Sequence, residues 1–266
     1  MLKGKDRIKK AILAQKSKGE VPLIPYITAF DPDKETTKRI LLEMAEVEPC
    51  CVELGFPFSD PVADGPTIQK AMVRALKNAP TLDEYFELVS EVRSQGFQIP
   101  ILLMTYYNIL YRYGLKRVVE EAISSGVDGF IIPDLPLEEI APFKKELKGS
   151  SLALVLLCAP TTPEDRIKRI SKATSGFLYY VSLTGITGAR DRLPEDIEQR
   201  LTLVKKLSSQ PVAVGFGISK PEHVQLLSPY ADALVVGSAL VRLIEEDAKS
   251  SPRAIKNFLR TLKRSQ

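Results

Sequence analysis

Cys51-Val-Glu-Leu-Gly-Phe-Pro-Phe-Ser-Asp-Pro-Val-Ala-Asp-Gly-Pro-Thr-Ile-Gln69 contains the residues best suited to proton chemistry. Glu53 ends an apolar run, where a side chain is held stiffly and partly dried. A loop punctuated by Gly and Pro follows, carrying Ser59, Asp60 and Asp64, and a helix opens at Pro66. Ligands of parallel α/β proteins collect at the carboxyl ends of the strands, where this loop would lie. Two carboxyls in such unlike settings have their pKa values pushed apart, so that one donates a proton while the other stays charged. An ordinary loop would account for the same residues: Glu53 capping an amide, and Asp64-Gly65 as a turn.

Three later motifs carry glycine: Thr184-Gly-Ile-Thr-Gly188, Gly215-Phe-Gly217 and Gly237-Ser238, the last opening a helix over 239–246. Glycine lets backbone N–H groups approach an anion closely, and a helix N-terminus adds favourable partial charge. Each motif alone also fits a tight turn. Together, at the last three strand ends, they point to a phosphate monoester.

The elements that must position these residues are legible as short apolar runs alternating with amphipathic stretches. Strands are expected at 23–28, 50–54, 99–104, 129–133, 152–157, 177–182, 212–215 and 233–236. They do not alternate with polar residues, as expected of strands covered on both faces. Helices are expected at 35–45, 66–77, 82–94, 115–125, 137–147 and 197–207. Eight such units in 266 residues, with no linker between them, predict one (β/α)8 barrel, an α/β fold of a single domain spanning 1–266. Extra helices are expected at the N-terminus, after strand two and after strand eight.

Composition narrows the function. The net charge is +4, and no basic stripe with interleaved aromatics is found, which argues against nucleic acid. Ile8, Ala11 and Ile12 fall at helical spacing, so the first cluster reads as the wet face of an amphipathic helix. Cys50, Cys51 and Cys158 lie in apolar runs without metal or disulfide spacing, and read as reduced core residues of a cytosol-like compartment. The first twenty residues are too charged for a signal peptide. The single histidine, His223, is expected in solvent. One histidine excludes a His-ligated metal centre, and strands without lysine argue against a Schiff-base aldolase. Carboxyls are then the natural proton carriers. Asp31 and Asp134 are further strand-end acids, able to orient partners or cap loops.

The chain resembles the alpha subunit of tryptophan synthase along nearly its whole length. The likeness is carried by Ile27-Thr-Ala29, Glu53 through Gln69, Leu103-Met-Thr-Tyr-Tyr-Asn108, Pro133-Asp-Leu-Pro136, Ser182-Leu-Thr-Gly-Ile-Thr-Gly-Ala-Arg190, Gly215-Phe-Gly-Ile-Ser219 and Gly237-Ser238. The resemblance implies retro-aldol cleavage of indole-3-glycerol phosphate to indole and glyceraldehyde 3-phosphate. It implies that Glu53 carries the proton transfers and Asp64 accepts from the indole N–H. Tyr26, Met104, Tyr106, Ile131 and Pro133 would surround the indole, Tyr179 would support the site, and Gly188, Gly217, Gly237 and Ser238 would hold the phosphate. It further implies an αββα heterotetramer in the cytoplasm, or in the plastid stroma for a plastid-encoded chain. The chain itself would need no cofactor or metal, pyridoxal phosphate belonging to the beta subunit. Residues 57–60 would face that partner, and loop 184–190 would close over substrate.

Two positions depart from the family pattern. Phe30 stands where glycine is usual in Thr-Ala-Gly-Asp-Pro, and Glu48-Pro-Cys50 replaces a usual Gly-Ala-Asp. Phe30 is expected close to the substrate mouth, narrowing the indole slot or altering the partner surface. Rival readings are a phosphosugar epimerase on the same barrel, which would need histidine ligands, and a partner-activating subunit without lyase activity.

Overall fold

The structure, a computed structural model, describes residues 4–181, 196–215 and 217–264. Eight parallel strands close in sequence order: β1 Leu23–Thr28, β2 Val52–Gly55, β3 Ile101–Met104, β4 Gly129–Ile131, β5 Ala153–Cys158, β6 Leu178–Val181, β7 Val212–Gly215 and β8 Ala233–Val236. β8 pairs back onto β1, with Pro25 opposite Val236. The expected (β/α)8 barrel is therefore observed, and no sheet edge is left exposed.

Strand alternation separates two apolar cores. Leu23, Ile27, Val52, Leu54, Ile101, Leu103, Phe130, Leu154, Leu178, Tyr180, Val212 and Leu234 join the outer core beneath the helices. Ile24, Cys51, Leu102, Ile131, Val155, Tyr179, Ala213 and Val235 pack together inside the barrel. Because side chains alternate along a strand, Glu53, two residues beyond Cys51, points inward too. An apolar residue on both faces explains why no polar alternation marks these strands.

The flanking helices are α1 Gly4–Ser17, α2 Lys34–Ala45, α3 Pro66–Leu76, α4 Leu82–Ser94, α5 Tyr107–Tyr113, α6 Leu115–Ser125, α7 Ala141–Glu146, α8 Glu164–Ala173, α9 Ile197–Leu207, α10 Pro221–Leu227, α11 Ser238–Glu246 and α12 Ser251–Lys263. The expected extra helices are α1, α3 and α11. α1 lays Ile8 and Ile12, both fully buried, against the inner core. The 137–147 stretch, expected as one helix, is instead a single 3-10 turn, Leu137–Glu139, followed by α7. Pro142 lies in the first turn of α7, where a missing N–H is harmless, whereas inside a continuous helix it would break a hydrogen bond. α5 has no counterpart among the expected helices; Asp134 accepts from the Tyr107 N–H (2.8 Å) at its start.

Asp128, buried beside the start of β4, ties the amino-terminal end of the barrel together. Its carboxylate accepts from the Gly4 and Ile101 amides (3.1 and 3.0 Å), from Arg7 (3.3 Å) and from Arg93 (2.9 Å). Those donors link α1, β3 and α4 through one side chain. The basic C-terminal cluster is also answered: Lys256 pairs with Glu43 and Glu46, Arg260 with Glu46, and Lys263 with Glu20. All three cysteines are buried and free. Among the described residues no helix is long and apolar enough to cross a membrane.

Both departures from the family pattern put a side chain on left-handed backbone. Phe30 has φ 65° and Glu48 φ 51°. Glycine adopts this region freely, whereas a Cβ costs about 1–2 kcal/mol there. Phe30 gains in return: its ring is buried and meets Phe56 edge-on at 6.5 Å. That contact lies in the outer core, so the expectation that Phe30 narrows the indole slot is corrected. Glu48 is exposed and has no such return. Glu48→Gly is therefore expected to stabilise the chain by roughly 1 kcal/mol, the relieved strain exceeding the entropy of a freer unfolded chain. Urea unfolding at unchanged m-value reads this as a raised midpoint; a lowered midpoint would show that the Glu48 side chain stabilises the fold after all.

Candidate active site

The inward residues nearest the carboxyl ends of β1, β2, β3 and β6 converge at the barrel mouth. Register places Tyr26 opposite Glu53, and Glu53 opposite Leu102. Glu53 is 1% exposed. Its Oε2 is reached by the Tyr179 hydroxyl at 3.5 Å, and its Oε1 meets no partner among the described residues. Burial pushes the carboxyl up to about 8, with the Asp64 charge adding to the effect and the Tyr179 hydrogen bond opposing it. A bond of 3.5 Å is at the weak limit, so desolvation wins and Glu53 is an acid at neutral pH.

Asp64 is set differently. It lies on the loop between β2 and α3, and the Tyr106 hydroxyl donates to its Oδ2 at 2.6 Å. The same hydroxyl accepts from the Ala63 N–H at 2.9 Å, so Tyr106 holds both the carboxylate and its backbone. Burial raises the Asp64 carboxyl, and the Tyr106 hydrogen bond opposes that rise. Phe58, from the same loop, stacks on Tyr106 with ring centroids 5.0 Å apart. The Tyr106 phenol itself is raised by burial and by the Asp64 charge, so it remains a donor.

A third apolar cluster surrounds these groups: Tyr26, Ile68, Met72, Tyr106 and Val241, with Phe58 and Met104 against them. Of the residues expected around an aromatic ligand, Tyr26, Met104 and Tyr106 share this cluster, while Ile131 and Tyr179 line the barrel just below, where Met104 also reaches. Pro133 is half-buried two residues beyond β4. Tyr26 and Tyr179 both lie within the fields of Glu53 and Asp64, which with burial raise their phenols well above the ordinary value.

Sequence reasoning missed the residues that make room for these rings. A Cβ at Gly55 would stand 2.5 Å from the Tyr26 hydroxyl oxygen, closer than any real contact. A Cβ at Gly215 would stand 3.0 Å from the Tyr179 ring. Thr28 was missed too; its hydroxyl lies 3.1 Å from that of Tyr26 and hydrogen-bonds to it. Inward parity was the available signal: Gly55 and Thr28 each lie two residues beyond a site residue on the same strand.

The glycine-rich rim is seen in part. Gly237 precedes α11, whose first residue, Ser238, is buried, and the Leu240 and Val241 amides close onto the Gly237 carbonyl. The helix thus starts one residue earlier than expected. Gly217 is exposed with φ 63°, and a Cβ there would meet nothing within 4 Å. Gly188 and the 184–190 loop lie outside the described residues. His223, expected in solvent, is half-buried on α10, and its Nδ1 accepts from the Ser219 N–H at 3.3 Å because the helix start turns it toward its own preceding loop. Asp31 is fully buried and ion-paired to Arg74. Among the described residues, no group of three or more His, Cys, Asp or Glu is placed to hold a metal ion.

Known proteins share the fold and much of the sequence. The family model for the tryptophan synthase alpha chain matches residues 12–265. The tryptophan synthase alpha chain of Chloroflexus aggregans is 44% identical over 245 residues, covering 92% of each chain. A solved structure from Aquifex aeolicus superposes with a TM-score of 0.87 at 40% identity, covering 97% of this chain and 98% of that one. A structure of the tryptophan synthase a2b2 complex of Pyrococcus furiosus, solved to explain its mutual activation, gives 0.83 at 43% identity, covering 91% and 97%. An inward acid on β2, a second carboxyl on the following loop and an aromatic slot between them thus sit in a chain that belongs to the tryptophan synthase alpha chain family.

Proposed function

We propose that Glu53 and Asp64 carry out the alpha reaction of tryptophan synthase, the retro-aldol cleavage of indole-3-glycerol phosphate to indole and glyceraldehyde 3-phosphate. The observation that carries the assignment is the state of Glu53: buried, raised to about 8, with one carboxyl oxygen unmatched among the described residues. A neutral carboxyl is the form needed to deliver a proton to indole C3. Protonation there leaves a cationic indolenine, and the ring becomes the electron sink for the bond about to break. The Asp64 carboxylate, aimed by Tyr106, accepts from the ring N–H and stabilises the developing positive charge. Glu53, now ionised, takes the proton from the glycerol hydroxyl next to the scissile bond. The C–C bond breaks, its electron pair neutralises the ring, and an aldehyde is left.

The apolar slot of Tyr26, Met104, Tyr106, Ile131, Pro133 and Tyr179 suits a flat aromatic ring. Gly188, Gly217, Gly237 and Ser238 hold the phosphate, with the N-terminus of α11 supplying unpaired N–H groups. The chemistry uses carboxyls alone and asks for no cofactor on this chain; pyridoxal phosphate belongs to the beta subunit. The chain works in the cytoplasm, or in a plastid stroma if plastid-encoded. Its partner in the αββα complex is the beta subunit, which meets the tip of the 57–65 loop. There Ser59 and Asp60 are exposed and Val62 is 84% exposed, an apolar tip on the loop that carries Asp64.

Glu53→Gln keeps the volume and removes the proton. Indole release is expected to fall by at least about 10²–10⁴-fold, since one group serves two proton steps. Glycerol 3-phosphate binding should be retained. Activity within a few-fold of the parent would remove Glu53 from the mechanism.

The pH dependence follows from the raised carboxyl. Its acid form dominates below about 8, and that form starts the reaction. As pH rises through about 8, kcat/KM for the isolated chain should fall, reaching about tenfold per pH unit. Asp64 must be ionised, and its carboxyl is raised as well, so the acid limb should begin above the usual carboxylate range. A profile flat to pH 10 would contradict the assignment of Glu53.

Docking of the beta subunit should order the Asp64 loop and accelerate indole release, with a coupling of about 1–3 kcal/mol, or 5- to 150-fold. By reciprocity, glycerol 3-phosphate should tighten the complex. Titration with and without that ligand measures the coupling, and equal affinities would leave a free-standing lyase.

A further inference from the structure

The Asp31–Arg74–Glu245 strut lies outside the reacting groups, yet it joins the two elements that would hold opposite ends of the substrate. Asp31, in the loop after β1, is completely buried. Arg74, on α3, engages it as a fork: Nε to Oδ1 at 2.8 Å and Nη2 to Oδ2 at 2.9 Å. The remaining arm, Nη1, reaches Glu245 Oε1 on α11 at 3.2 Å. Just beyond the C-terminal end of α3, Asn78 donates to the carbonyls of Phe30 and Pro32, fastening that end of the helix to the same loop. β1, α3 and α11 also pack pairwise against one another.

The geometry matters because of what each helix begins with. α3 is entered directly from the loop bearing Asp64, with Gly65 the only residue between Asp64 and the helix. α11 begins at Ser238, on the phosphate side of the site. We propose that Arg74 is a positioning residue that fixes the separation of Asp64 from the phosphate-holding end of α11, acting through Asp31 and Glu245. The proposal rests on the lyase reading, since only a ligand with an indole at one end and a phosphate at the other spans both helices. A guanidinium serves here because its planar fork fixes direction as well as distance, whereas an ammonium is a point charge with no preferred plane. The bonds of Arg74 go to Asp31 and Glu245, not to the groups assigned to either end of the substrate.

A spacing device has a signature that a merely stabilising contact lacks. Its loss weakens a ligand that spans both ends and leaves each half alone. Arg74→Lys keeps the charge and loses the fork. Glu245→Gln cuts only the arm to α11 and, with Glu245 40% exposed, should leave folding intact. Calorimetric titration would compare three probes: indole, glycerol 3-phosphate and indole-3-propanol phosphate, which joins the two ends by a carbon chain that cannot be cleaved. Arg74→Lys should weaken the joined compound and lower kcat/KM for indole-3-glycerol phosphate by about tenfold or more, as expected for misplacement remote from the chemistry. Glu245→Gln should do the same by about threefold, because the broken pair is partly exposed. Affinities for the separate halves should not change. Equal losses for the joined compound and for glycerol 3-phosphate would overturn the proposal in favour of damage to the phosphate site alone. Unchanged affinity for the joined compound in both variants would overturn it outright. A parent chain that binds glycerol 3-phosphate, but neither binds the joined compound nor releases indole, would instead overturn the lyase reading.

Discussion

A carboxyl placed inside a closed barrel without a cation beside it can exist there only in its acid form at neutral pH, and much of this structure follows from holding Glu53 in that state. Ionising a buried group without a partner is costly, and the group answers by shifting its pKa. The barrel supplies the burial: β2 is paired on both sides, so Glu53 has neighbouring strands to left and right. What reaches it is a long contact from a phenol, too weak to hold a proton off, and the charge of another carboxylate, which favours keeping the proton. An arginine at this place would have made an ordinary ion pair and a poor acid. The tyrosines are the compromise, polar at the tip, apolar along the ring and neutral at working pH.

Space for those rings comes from glycines that are not there for backbone freedom. Gly55 and Gly215 are required because a Cβ would intrude on Tyr26 and Tyr179. Two positions on left-handed backbone, 30 and 48, are held instead by phenylalanine and glutamate. Glycine thus serves close approach at the mouth, while at position 30 the burial of an aromatic ring compensates for backbone strain.

The two ends of the barrel divide their work. At the amino-terminal end Asp128 is polar chemistry used for structure, a side chain saturated by two amides and two arginines. At the carboxyl end Glu53 is left unsaturated and Asp64 is held by a single tyrosine. Saturation makes a joint and its absence makes a reagent, which is why the barrel's chemistry gathers at one rim. Asp31 and Arg74 lie between these extremes: a saturated ion pair near the reactive rim, suited to placing helices rather than moving protons.

The eight strands were legible in the sequence because each is a mostly apolar run without polar alternation, and β1, β7 and β8 begin and end where those runs do. Glu53 was legible because it is the one acid in such a run, and Asp64 because a Gly/Pro loop follows it into a helix opened by proline. The break in the 137–147 helix was also written locally, in Pro142, but an amphipathic pattern that continues past a proline conceals it. Other features depend on contacts between residues far apart in the chain. Tyr106 fixing Asp64 spans 42 residues, Tyr179 meeting Glu53 spans 126, and the Gly55 vacancy has meaning only once Tyr26 is its neighbour. The direction of Phe30, into the outer core and away from the slot, was decided by its φ of 65° and by Phe56, neither of which a sequence pattern expresses. Local composition therefore determined which elements form and which acids stand at their ends. Only closure of the barrel decided which acid is dried enough to keep its proton, because desolvation is a property of everything that surrounds a group and not of its neighbours along the chain.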